Sequence, residues 1–343
     1  MRYMLIAVAI LLVLIVGAIV FDRDHTPMAS RDDALIVRTE GRCGMVDRDG
    51  KWVLNPQFDA LWPYENGLAV ARQGDRWGYV DKRGKWAIPP DFTAAYLFGD
   101  NGLAPVETED GAGYIDKQGQ WAIEPTIESA GDFSDGGIAA AMQAGLWGYI
   151  DKTGKWVINP QFTQANMFNE GRAAVRQGDR WGYIGKDGKW VVNPQFSSAG
   201  TYGDDDRARA GFEGRYGFID GKGVWMINPE FDQAGVEFED GLVPASQNGL
   251  WGFLDKDGKW AVNPQFQYAG PFEDGLAPAA LNGRWGFIDR KGHWVVNPQF
   301  DDAGPFDDGL ALASFGGKWG FVNKKGKWVI NPQFDGNAGD CAR

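Results

Sequence analysis

Residues able to do acid, base or metal chemistry are few in this chain and poorly spaced for it. The only histidines are His25 and His293, so a His-based nucleophile triad has almost no material, and His293 stands at a turn position that is lysine elsewhere. No His/Cys cluster has metal-ligand spacing. The Asp-x-Asp-Gly phrases at Asp47 and Asp255 match the opening of a calcium loop but lack its later ligands and closing Glu, so they read as turns. Gly111-Ala112-Gly113 precedes a strand pattern and not a helix, which removes a nucleotide loop. The 46 acidic residues make some close carboxylate pair inevitable, and a glycosidase needs only two. These acids recur at equivalent turns, however, where solvation and turn formation account for them. The chain is therefore expected not to be an enzyme, with no catalytic, metal or cofactor-binding residue and no cofactor.

The elements around these residues are set by a period. Marking each Trp-Gly pair or its equivalent gives Cys43, Trp77, Ala112, Trp147, Trp181, Tyr216, Trp251, Trp285 and Trp319, at spacings of 34, 35, 35, 34, 35, 35, 34 and 34. A fixed period of this length marks a repeat architecture, so length counts repeats and not domains. The pairs Trp77-Gly78, Trp147-Gly148, Trp181-Gly182, Trp251-Gly252, Trp285-Gly286 and Trp319-Gly320 are the expected structural positions.

One unit, from residue 137, holds three short apolar stretches at Ile138 to Met142, Leu146 to Asp151 and Lys155 to Asn159, which predicts a three-stranded meander. Asp151-Lys152-Thr153-Gly154 and its copies suit a type I turn with a G1 bulge, Asp bonding turn amides and Gly taking positive φ. Alternation places Trp147 and Tyr149 on one face, Gly148 and Ile150 on the other, and Trp156 with Ile158 on one side. Asn159-Pro160 should end the strand, with Phe162 and Phe168 packing between units as an irregular fourth strand. Glycine inside a strand costs about 0.5–1 kcal/mol relative to Ala. A neighbouring aromatic ring lying across Gly148 is the expected reason for it.

The recurring Trp-Gly-aromatic-Ile-Asp-x-x-Gly-Lys-Trp-Val-Ile-Asn-Pro-Gln-Phe, followed by Phe-x-Asp-Gly-Leu-Ala, resembles the bacterial WG-repeat family over about residues 34 to 334. The resemblance implies a β-repeat module, often of secreted or envelope proteins, and transfers no catalytic residue. Departures fall at Cys43, Ala112 and Tyr216, which replace the first Trp, and at Gly203-Asp204-Asp205-Asp206, which replaces an acidic-Gly-Leu turn.

The fold class expected is all-β, a tandem array of nine β-meander units. Nine units exceed the usual four to eight propeller blades and three strands fall short of a blade's four, which favours an open or curved solenoid over a closed propeller-like ring. Units also look complete from Leu35 to Asn331, leaving no strand to close a ring by exchange. Against this stand Cys43 and Cys341, which could pair only if the ends of the array meet, could pair between molecules, or could stay free.

Residues 4–21, MLIAVAILLVLIVGAIVF, carry no charge, and eighteen apolar residues can just cross a bilayer. The organisation expected is a transmembrane signal-anchor helix over 1–21, or a cleaved signal peptide, then a polar tether over 22–33, the repeat domain over 34–335 and a tail over 336–343. The repeats would then lie outside the cytoplasm, periplasmic or at the cell surface. A net charge of −12 with both signs interleaved argues against nucleic acid. The function expected is a membrane-tethered scaffold for a protein partner, since repeat surfaces commonly bind proteins through variable turns such as Gln73-Gly74-Asp75-Arg76 and Gln177-Gly178-Asp179-Arg180. The alternative is an envelope glycan or peptidoglycan module, which needs rows of exposed Trp.

Overall fold

Each repeat folds by the alternation of covered and open side chains along short strands, bounded by turns at Asp-x-x-Gly and at acidic-Gly pairs. The structure is a computed structural model that describes residues 34–342 apart from Asp135 and Asp204. Nine antiparallel sheets follow one another, eight of four strands and one of three. The first blade contains β1 (Leu35–Thr39), β2 (Arg42–Val46) and β3 (Trp52–Phe58). The second contains β4 (Ala60–Glu65), β5 (Leu68–Gln73), β6 (Arg76–Val80) and β7 (Trp86–Phe92), paired in sequence order. We call the four strands of a blade first to fourth.

The fourth strand of one blade runs into the first strand of the next through a single residue, as Phe58 does into Ala60 through Asp59. A sequence repeat therefore straddles two blades, and the irregular fourth strand of each unit is the first strand of the following blade. This supplies the strand that the three-stranded reading lacked.

Rings are the mortar between blades. The Phe ending one fourth strand meets edge-on the Trp beginning the next, at 5.6 Å for Phe58 and Trp86 and 5.5 Å for Phe266 and Trp294. The same contact joins Phe334 of the last blade to Trp52 of the first, at 6.0 Å and 78°. Leu35, Val37 and Val46 share one buried cluster with Leu310, Leu312, Phe321 and Ile330. The array is thus a closed nine-bladed ring, a propeller, and the open solenoid expected from the sequence is overturned.

Closure uses an exchange that the sequence reading excluded. Blade one has no first strand of its own chain neighbourhood. Its slot is filled from the other end, where Asp335 N–H donates to the Arg38 carbonyl at 2.8 Å and Arg38 N–H to that of Gly336 at 3.0 Å. The tail then forms α1 (Ala338–Cys341), whose Asn337 cap and Asp340 exchange bonds as a capping box. Cys341 is bonded to Cys43 with their Cα atoms 5.8 Å apart. Cys43 stands in a slot that holds Trp in most blades, and the smaller residue admits the tail.

Asp132 stands on a first strand, and desolvation by the surrounding protein pushes its carboxyl up to about 6. The fourth strand is an edge strand, which is why it accepts Pro160 and its equivalents. No helix among the described residues is long and apolar enough to cross a membrane. The segment 4–21 read as an anchor, and the tether after it, lie outside the described residues.

Candidate interaction faces

The Trp-Gly positions are structural. Opposite Gly148 the fourth strand bulges: Trp147 pairs with Phe162 and Tyr149 with Ile158, so Asn159-Pro160-Gln161 folds over the glycine. A Cβ on Gly148 would lie 2.4 Å from the Ile158 carbonyl oxygen and 2.7 Å from the Pro160 nitrogen. Gly78, Gly182, Gly252, Gly286 and Gly320 meet the same backbone at 2.4–2.6 Å. Crowding by backbone, not cover by an aromatic ring, is the reason for glycine. The strand also does not end at Pro160, since pairing resumes at Phe162.

Trp147 and Tyr149 face the following blade and Ile150 the preceding one, as alternation predicted. Trp156 and Ile158 do not share a side, because Ile150 pairs with Trp156 while Tyr149 pairs with Ile158, and the irregularity between them turns Trp156 to the preceding blade. Trp147 and Trp181 are buried, Trp77, Trp251 and Trp285 are half-buried in clusters that include the next blade's first strand, and Trp319 is half-buried against the cluster holding Leu35, Val37 and Val46. Trp52 is the one exposed Trp among the described residues, so no row of open indoles exists for stacking on sugars.

Third-strand tyrosines join blades by hydrogen bonds. Tyr149 Oη donates to the Asn166 carbonyl at 2.7 Å, and Tyr79, Tyr114 and Tyr183 repeat this with Tyr96, Gly131 and Gly200. Burial pushes these phenols well above their ordinary range. Of the departures, Cys43 accommodates the tail and Tyr216 carries the Arg209 guanidinium 5.2 Å above its ring. Nothing in the structure explains Ala112.

The meander gives the ring two unlike faces. Hairpins between second and third strands, with the links between blades, make one face, here called upper; the other two hairpins of each blade make the lower. The lower hairpins gather carboxylates. Glu239, Asp240, Glu273, Asp274, Asp307 and Asp308 surround a depression of about 310 Å³ over Phe272 and Phe306. Burial, then the carboxylates of Asp307, Glu239 and Asp274, push Glu273 up to about 7. Cations from the next blade answer several of these turns: Arg48 pairs with Asp308 at 2.9 Å, and Lys324 Nζ donates to the Asp274 carbonyl at 2.7 Å. No group of three or more His, Cys, Asp or Glu among the described residues could hold a metal. His293 Nδ1 lies 3.5 Å from Asp289.

Open apolar side chains are rare at the lower hairpins, where Val224 is exposed. Of thirteen large ones, seven lie on fourth strands and Val224 just precedes one. The remaining five, Leu146, Phe212, Leu250, Tyr268 and Phe315, are all on the upper face. The last four come from blades six to nine in succession. Tyr268 is 61% exposed and stacks on Trp285 at 6.2 Å, and Phe315 is 56% exposed. These residues were not singled out from the sequence, though a signal existed: Phe212 and Phe315 stand where four other blades have Gln before this hairpin, and Leu146 and Leu250 where five others have Arg after it. The turns Gln73-Gly74-Asp75-Arg76 and Gln177-Gly178-Asp179-Arg180 lie on this same face.

The family model for the WG containing repeat matches residues 44–77, 77–111, 113–147, 147–181, 181–215, 216–251, 251–285, 285–319 and 319–336. No curated protein matches the sequence. Among solved structures the chain is similar to one described as the crystal structure of the eukaryotic initiation factor, with 8% identity and a TM-score of 0.59 over 85% of this chain and 94% of that one. It is also similar to dihydro-heme d1 dehydrogenase NirN in complex with DHE, with 12% identity and a TM-score of 0.48 over 92% of this chain and 77% of that one. At such identities the first likeness concerns the fold alone and the second carries no argument.

Proposed function

We propose, for a chain that belongs to the WG-containing repeat family, that it is a non-enzymatic platform whose upper face docks a protein partner. The observation that carries this reading is the placement of Phe212, Leu250, Tyr268 and Phe315 on one face of four consecutive blades, while the lower hairpins gather charge. Exposed aromatic side chains beside arginines such as Arg215 and Arg284 have the composition of interface hot spots. Open apolar side chains gathered on one face of a folded surface mark an interaction site. The glycan alternative lacks the open Trp rows on which it rested.

The same proposal places the ring outside the cytoplasm, tethered through residues 4–21. The bonded pair Cys43–Cys341 supports an oxidising compartment, and the uncharged run of 4–21 supports the tether. Photo-crosslinking in intact cells tests the docking face. A crosslinker at position 315 or 268 should capture one discrete partner, and one at Asp274 on the lower face should not. Equal capture from both faces, or capture only from the lower one, would overturn the reading.

A further inference from the structure

We infer that the seam between the last and first blades is a redox-operated latch, closed by the Cys43–Cys341 bond and opened by its reduction while the other blades stay folded. Every other seam is spanned by the chain itself, fourth strand leading directly into first strand. The ninth is spanned only by the tail, whose backbone pairing with blade one is limited to Asp335 and Gly336 on Arg38.

This seam, like that of blades one and two where Met45 takes the ring's place, also lacks a contact found at every seam from blades two and three to blades eight and nine. At these seams the third-strand ring of one blade packs against a ring on or just after the first strand of the next, at 4.8 Å for Tyr79 and Phe98 and 4.6 Å for Phe287 and Phe306. In the last blade the equivalent ring is Phe321, and the tail Asp335–Ala342 that stands in for a first strand contains no aromatic residue to receive it. What holds the tail instead is local: the one-turn helix α1, the Arg38 Nη1 bond to the Asp340 carbonyl at 3.0 Å, the bond of Lys318 to Asp335, and the disulfide. A single turn of helix has almost no stability of its own. The covalent bond therefore does at this seam what chain continuity does at the others, beside the Phe334–Trp52 ring contact and the apolar cluster around Leu35 and Val37.

Opening is local because cohesion is local. The buried side chains fall into separate clusters, each shared between adjacent blades, and an array of this kind gains its stability from nearest neighbours. A dithiol reductant transfers two electrons and two protons to the bond. Cys43 and Cys341 become thiols and the reductant becomes a disulfide. The tail then leaves the inner edge of β1, and it uncovers Leu61 and Tyr64 of blade two, with which Ala338 and Cys341 are packed. The ring is closed under oxidising conditions and a broken ring under reducing ones.

Hydrogen exchange read by mass spectrometry on the full chain in detergent, oxidised and after dithiothreitol, tests this. A double variant, Cys43→Ser with Cys341→Ser, covers the case in which the buried bond resists the reagent. The expected result, in the reduced protein or the variant, is a tenfold or greater gain in exchange over residues 34–46 and 328–342. Strands Leu146–Asp151 and Arg180–Gly185 should stay as protected as before. Unchanged protection at the seam would show that the tail holds without the bond. A uniform loss in all blades would show that the bond supports the whole fold and is no latch. Either result overturns the inference.

Discussion

At the scale of single residues, the glycine after each tryptophan is the position with the sharpest requirement. A side chain at Gly252 would meet the Val262 carbonyl oxygen at 2.4 Å and the Pro264 nitrogen at 2.7 Å, so the bulged strand would have to move. Gly283 makes a useful contrast, because its φ is +74° but nothing lies within 4 Å of an added Cβ. Gly252→Ala is expected to cost about 3 kcal/mol by overpacking. Gly283→Ala should cost about 1 kcal/mol, the ordinary penalty for a left-handed conformation. Urea unfolding of both variants measures the difference, and equal costs would remove the crowding account. The sequence flagged this glycine as anomalous because strand interiors disfavour it. It could not supply the cause, which depends on the Asn-Pro-Gln bulge of the partner strand coming close.

The hairpin between third and fourth strands is the element that the sequence described best. Asp151 Oδ1 accepts from Thr153 Oγ1 at 2.6 Å, from Thr153 N–H at 2.8 Å and from Lys155 N–H at 3.1 Å, and Gly154 takes a φ of +82°. Asp47, Asp81, Asp116, Asp255 and Asp289 bond their turns in the same way. The Thr153 hydroxyl first, then its amide, hold the Asp151 carboxyl below its ordinary value of 3.8. A depressed folded pKa means stabilisation that is present above 3.8 and lost as pH falls through the lower folded value. Asp151→Ala should therefore melt below the parent protein at pH 7, by a gap that narrows as the pH falls below 3.8. A gap that keeps its size through that range would mean that the charge is not what the turn uses. Strand pairing was less legible: two irregularities within one fourth strand put Trp156 and Ile158 on opposite sides, which alternation alone cannot reveal.

On the scale of the whole molecule, cohesion lies between blades and not within them. Tyr149, Phe162 and Trp147 of one blade share their cluster with Ala165, Phe168 and Val175 of the next, so a lone blade would expose both its faces. A fragment of residues 129–162, one blade with no seam, should show no cooperative urea transition and no fixed near-ultraviolet dichroism. A sharp transition in that fragment would place the cohesion inside the blade. In the intact ring every seam is covered, including the ninth, where Phe334 meets Trp52.

The sequence by itself determined the period, the all-β class, the hairpins and the family, because these rest on local spacing, turn chemistry and alternation within a few residues. Tertiary structure decided that the array closes, that Cys341 reaches Cys43, and that Phe212, Leu250, Tyr268 and Phe315 share one face. Each depends on the small rotation from blade to blade summed around nine copies, which a repeat pattern does not record. The same sum brings Asp335 to Arg38 across nearly the full length of the chain, and only there does the missing strand of blade one find its substitute.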